Sequence, residues 1–108
     1  GDQKLVPDLN MMNEHVVTNN EDKKRYEMAV EDQVAFLEYI PAGNNIVLSH
    51  TEVPEGLEGQ GAGSQLVKHV LEAIKKKNQK IIIVCPFVAA YIKRHPEYLD
   101  LVFGYRPK

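Results

Sequence analysis

The chain has 108 residues, enough for one compact domain and too few for two. Hydrophobic residues make up 44% and charged residues 26%, and the formal net charge is −2, so no global basic field exists to draw in nucleic acid or anionic lipid. The longest apolar run, Ile81 to Cys85, is far too short to cross a bilayer, and no basic segment followed by an apolar one opens the chain.

The expectation is a cytoplasmic protein that needs neither membrane nor nucleic acid. A single cysteine, Cys85, cannot form an internal disulfide, and no Asn-x-Ser/Thr acceptor occurs; both fit a reducing compartment. The four histidines are scattered, with no H-x-x-x-H or C-x-x-C spacing, so no metal site is expected.

Residues 1–13 show no periodicity and are expected to be an arm that is disordered, loosely docked or left from a tag. A single domain is expected over residues 14–108. Glu14 to Asn19 is a short strand candidate, followed by a polar turn at Asn19 to Lys23. From Arg25 to Val30 the residues alternate, with Tyr26, Met28 and Val30 on one face, which predicts a half-buried strand. Val34 to Ile40 puts Ala35, Leu37 and Tyr39 on one side and Val34, Phe36 and Ile40 on the other. That pattern predicts a strand buried on much of both faces. Pro41 to Asn45 has turn chemistry, and Ile46 to Val53 is the next strand. Short links between successive strands imply an antiparallel meander.

Gly59, Gly61 and Gly63 follow at alternate positions, and a helix begins at about Ala62. Leu66, Val67, Val70, Leu71 and Ile74 form its apolar stripe. Lys75 to Lys77 make a solvated last turn at the far end from the glycines, and Asn78 can cap it. Ile81 to Cys85 is β-branched and unbroken, which predicts a central strand covered on both faces. It completes a β-α-β unit, so it should run parallel to strand 46–53. Pro86 opens a second helix carrying Val88, Tyr91, Ile92 and His95 on one stripe, which His95-Pro96 ends or bends. Leu99, Leu101, Val102 and Phe103 are available to close the core. The fold class is α+β: a β meander followed by a β-α-β-α unit.

The glycine loop allows two readings. Glycines let a chain turn tightly and a helix pack close; they also let a phosphate approach the free N–H groups and positive dipole of a helix N-terminus. A P-loop is excluded, because Ala62 and Gly63 stand where the lysine and hydroxyl are needed after Gly56 and Gly61. A dinucleotide fingerprint is excluded as well, because Ser64 replaces its third glycine and the next strand ends Val84-Cys85-Pro86 without a ribose-binding acid.

The order of elements, together with three motifs, carries a resemblance. The motifs are His50-Thr51-Glu52-Val53-Pro54, the loop Glu58-Gly59-Gln60-Gly61-Ala62-Gly63-Ser64, and Cys85-Pro86-Phe87-Val88 running into Tyr91 and His95-Pro96-Glu97-Tyr98. The chain resembles the GNAT acetyltransferases, and more closely their minimal, YjdJ-type acetyltransferase-like subfamily, over roughly Glu14 to Val102. Gly61 and Gly63 match the glycines of the pattern Arg/Gln-x-x-Gly-x-Gly/Ala. Glu58 departs from its first position, where a carboxylate repels a pyrophosphate.

The resemblance implies acetyl-CoA as cofactor, held between two splayed parallel strands, and a small-molecule or protein amine as acceptor. It implies cofactor contacts at Val53, Gly59, Gln60, Gly61, Ala62, Gly63, Ser64, Cys85, Pro86, Phe87 and Tyr91. Amine acetylation needs a base, and Glu52 is one candidate, against a plain solvent-facing strand end. His50 is the rival base, against a hydrogen-bonded, half-buried ring. Tyr91 matches the position of the tyrosine that protonates the departing thiolate, against an ordinary packed aromatic. Cys85 is either an acetyl-accepting nucleophile or, buried in a strand, a contact to the cofactor. The alternative is a non-catalytic module that keeps CoA or acyl-CoA, or only the scaffold for a protein partner. A monomer or weak homodimer is expected, since an exposed sheet edge can pair with a second copy.

Overall fold

A computed structural model describes residues 16–107. The arm expected over residues 1–13, with Glu14 and His15 of the first strand candidate, lies outside the described residues. Strands β1 (Val17–Asn20), β2 (Arg25–Val30), β3 (Gln33–Ala42) and β4 (Asn45–Glu52) form the meander, each antiparallel to the one before. The links at Glu31-Asp32 and Gly43-Asn44 are two residues long, which forces consecutive strands to be neighbours. A short helix α1 (Glu55–Glu58) and the longer α2 (Ala62–Lys76) lead to β5 (Lys80–Ile83). β5 pairs parallel with β4, giving the order β1-β2-β3-β4-β5. Helix α3 (Pro86–Arg94) and a 3₁₀ segment (Pro96–Leu101) complete the described elements.

One core joins sheet and helices. Tyr26, Met28 and Val30 of β2, Ala35, Leu37 and Tyr39 of β3, and Ile46 and Leu48 of β4 meet the helical layer. The predicted stripe of α2 supplies Leu66, Val67, Val70, Leu71 and Ile74, all at 0% exposure. Each such side chain contributes about 1.5–3 kcal/mol relative to exposure. Val88, Tyr91 and Ile92 of α3 join the same cluster, as do Tyr98 and Leu101. α2 ends as its sequence predicts. Asn78 takes a left-handed φ of 57°, its N–H bonds Lys75 O, and Gln79 N–H bonds Ile74 O, satisfying two of the last free carbonyls.

The structure corrects four expectations. β3 is buried on one face, not both: Val34 and Ile40 are 42% and 54% exposed, because the helices contribute to a single core on the opposite face. The turn expected from Pro41 is shorter, since β3 runs on through Pro41 and Ala42 to pair with Ile46 and Asn45. The Tyr39 N–H points away from β4, to Lys24 O. Two residues on, the Pro41 nitrogen points to that same side, beyond the end of β2, so its missing donor costs no ladder bond.

Among the described residues β5 is not central: it is the last strand of the sheet and stops at Ile83. Ile81 is fully buried, but Val84 is 61% exposed. Among the described residues only a bridge to Val102, with Phe103 N–H donating to Ile81 O at 2.8 Å, covers its outer edge. Phe103 itself is 59% exposed and does not close the core.

Candidate functional site

The site follows from one irregularity in β4. Glu38 pairs with His50 but Tyr39 pairs with Leu48, so Ser49 is an extra residue, a β-bulge. Its hydroxyl donates to Glu38 O at 3.1 Å. A bulge shifts the strand's alternation by one. Before it, Ile46 and Leu48 face the helices; after it, Thr51 and Val53 do so, and His50 and Glu52 point to the other face of the sheet.

At the same level the two parallel strands part. Their pairing ends at Leu48 and Ile83, and the Leu48 carbonyl accepts from both Val84 N–H (3.0 Å) and Cys85 N–H (2.9 Å). β4 continues to Glu52 with no β5 partner, so the chain opens a cleft there.

The cleft is a cavity of 390 Å³ lined by Thr51, Val53, Glu58, Gly61, Gly63, Ser64, Phe87 and Arg94. Gly61 is the N-cap of α2, with a φ of 73° that disfavours any side chain, and among the described residues no side-chain oxygen caps the helix. The first free N–H groups of α2 therefore face a groove without an internal partner of that kind. Gly63 is needed for a different reason. A Cβ there would lie 2.5 Å from Phe87 Cζ and 3.1 Å from Val53 Cγ2, so the close approach of α2, α3 and β4 depends on its absence. Gly59 has an ordinary φ and open space around it.

Of the expected cofactor residues, the cavity brings together Val53, Gly61, Gly63, Ser64 and Phe87. Ala62 is buried beneath the loop, and Gly59, Gln60 and Pro86 stand outside the lining. The Gln60 side chain turns back to donate to Gly56 O at 3.1 Å. Cys85 is 2% exposed and outside the lining, with its Sγ 3.2 Å from Thr51 Oγ1. Tyr91 is 4% exposed and also outside the lining; its ring stacks on His95 at 4.2 Å. Burial pushes its phenol above the ordinary 10.0, with help from the charges of Glu97 and Glu72.

On the far face, His50 Nε2 lies 2.8 Å from Glu52 Oε1, both side chains more than half exposed. Phe36 lies beside His50, and the Arg25 guanidinium sits 4.2 Å above the Phe36 ring.

Sequence reasoning missed α1, Thr51 as a lining residue, and Arg94. α1 carried a signal: Pro54 before an acidic turn, with Leu57 as its buried residue. Arg94 carried one too, being seven residues after Phe87 and so on the same helix face.

Among the described residues no group of three or more His, Cys, Asp or Glu side chains gathers to hold a metal. No described helix is long and apolar enough to cross a membrane.

A parallel pair that splays at a bulge, with a glycine-started helix at its mouth, defines a class, and comparison with known proteins agrees. The sequence model of the GCN5-related N-acetyltransferases matches residues 25–101. The chain belongs to that family. It is 32% identical over 88 residues to Protein NATD1 of Gallus gallus, covering 73% of this chain and 78% of that one. It is 35% identical over 69 residues to Protein NATD1 of Homo sapiens, covering 61% of each chain. The NMR solution structure of a GCN5-like protein from Staphylococcus aureus superposes with a TM-score of 0.65 at 26% identity, over 84% of this chain and 90% of that one. The α+β sheet with its parallel β4–β5 pair is therefore a GNAT-like fold.

Proposed function

We propose that this protein binds acetyl-CoA and transfers its acetyl group to an amine, either a small molecule or a protein lysine or N-terminus. The observation that carries the reading is the opening between β4 and β5, with the uncapped N-terminus of α2 on its wall. The residues fit the cofactor. Free helix-end amides suit a diphosphate, and the missing Cβ at Gly63 keeps the groove narrow and walled by backbone. When bound, acetyl-CoA supplies a thioester whose carbonyl is open to attack by a neutral amine.

In this reading the amides of Gly61 to Ser64 hold the phosphates, while Val53 and Phe87 wall the chain that follows. Glu52 takes the proton from the acceptor ammonium, with His50, 2.8 Å away, orienting it or sharing the task. Tyr91, kept protonated by burial and set behind the cavity lining, gives its proton to the leaving thiolate through a bridging water. Cys85, buried behind Thr51 and joined to its hydroxyl, backs the wall that the cofactor meets and forms no covalent bond. A buried free thiol also fits a reducing, cytoplasmic setting.

The test is an NMR titration of the full chain with acetyl-CoA, followed by turnover against a panel of amines. Amide shifts at Gln60 to Ser64 are expected; a flat titration at millimolar cofactor would overturn the reading. A second reading is a CoA- or acyl-CoA-binding or protein-interaction module without transfer. It is favoured by the Glu58 carboxylate on the cavity wall, and it predicts binding with no acetylated amine.

A further inference from the structure

Glu58 poses an electrostatic problem. A ligand carrying several phosphates must enter a cavity that has a carboxylate on its wall, and the partial charge of the α2 dipole does not cancel a full negative charge. Lys75 to Lys77 cannot compensate, because they stand at the opposite end of a 15-residue helix, about 20 Å from the glycines. Among the described lining residues one is a cation, Arg94.

Arg94 is the last residue of α3, two turns beyond Phe87 on the same face, about 10.5 Å further along the axis. The α3 wall of the cavity thus runs from an aromatic ring to a guanidinium. No ion pair ties Arg94 to another described residue. Its neighbours are turned elsewhere: His95 stacks on Tyr91 and lies 3.6 Å from Glu97, and Lys93 is not in the lining. A guanidinium presents a rigid fork of donors that matches phosphate oxygens two at a time.

We propose that Arg94 is the phosphate-binding cation of this cleft, supplying from α3 the positive charge that position 58 lacks. The proposal rests on the cofactor reading above and adds to it a recognition residue outside the glycine loop. The diphosphate and the 3′-phosphate of CoA offer the same chemistry, so the ligand group is a phosphate oxygen of either.

Titration calorimetry of the full chain with CoA and dephospho-CoA tests it, using Arg94→Gln, Arg94→Lys and Glu58→Gln. Arg94 is exposed, so unchanged melting is expected for its variants and serves as the control for folding. Arg94→Gln should weaken CoA binding about tenfold or more and flatten its salt dependence. Arg94→Lys should recover part of the loss, and Glu58→Gln should tighten binding. A loss of equal size for both ligands assigns the diphosphate; a loss confined to CoA assigns the 3′-phosphate. Arg94→Gln binding CoA as the wild type does would overturn this proposal and leave the cofactor reading intact. No binding by the wild type would overturn both.

Discussion

Gly61 and Gly59 belong to one loop but differ in what the backbone asks of them, and a pair of alanine substitutions separates the two cases. Gly61 sits at φ 73°, and no heavy atom lies within 4 Å of where a Cβ would be. Any cost of Gly61→Ala is therefore conformational and not steric. Placing an L-residue in the left-handed region costs about 1–2 kcal/mol. For a domain of this size each kcal/mol moves Tm by about 4–8 °C, so a drop of about 4–16 °C is expected. Gly59→Ala also meets open space, but at φ −76°. There alanine reduces only the freedom of the unfolded chain, and stability should hold or rise by up to about 1 kcal/mol. Calorimetric or urea unfolding of both variants is the assay. Equal destabilisation by the two, or none at Gly61, would refute the assignment of Gly61 as the strained start of α2.

Further outcomes follow from the site and the core. Glu52→Gln and Tyr91→Phe should each lower turnover by about 10²–10⁴-fold with melting unchanged for the exposed Glu52; unaltered rates in both variants would remove them as base and acid. Intact-mass analysis after incubation with acetyl-CoA should show no adduct on Cys85, which is 2% exposed; an acetyl group that Cys85→Ala abolishes would make it the nucleophile.

Alkaline stability should fall for a specific reason. Burial raises the phenols of Tyr26, Tyr39, Tyr91 and Tyr98 above their ordinary 10.0, and the Glu72 carboxylate, which accepts the Tyr98 hydroxyl at 2.7 Å, raises Tyr98 further. Below pH 10 both folded and unfolded chains keep these protons, so the contribution is fully present. Above it the unfolded chain releases them first, and stability falls as pH rises. Urea midpoints from pH 8 to 11 should be level and then drop, and in a Tyr105→Phe variant, which removes the exposed phenol, phenolate absorbance should rise together with unfolding; phenolate appearing in that folded variant well before it would contradict the argument.

The sheet order and the helix stripes were legible because they rest on period: Tyr26, Met28 and Val30 alternate, and Leu66 to Ile74 recur at helical spacing. Asn78 was legible as a cap because few residues other than glycine accept its left-handed φ. The position of β5 was not. A run such as Ile81-Ile82-Ile83 has the same local pattern at an edge as at a centre, and only the absence of a further paired strand among the described residues decides between them. The same limit applied to β3, where Val34 and Ile40 look like core until the helices are counted against one face.

Of the site, the helix start and Gly63 could be read directly. The bulge could not, since Ser49 has no marker in sequence and its effect lies in register with a strand eleven residues earlier. The depth of Tyr91 and Cys85 and the placement of Arg94 depend on how α3 packs against β4, a contact between segments about forty residues apart.

Ser49 also has a consequence for how such a protein can change. Past it, odd positions of a short stretch look toward the groove and even positions toward the opposite side of the sheet. Substitutions at His50 or Glu52 can remodel what meets the outer side while Thr51 and Val53 stay as they are, and the reverse holds equally. One inserted residue thus lets two neighbouring surfaces vary separately, so a lineage could reshape the outer one without rebuilding the wall behind it.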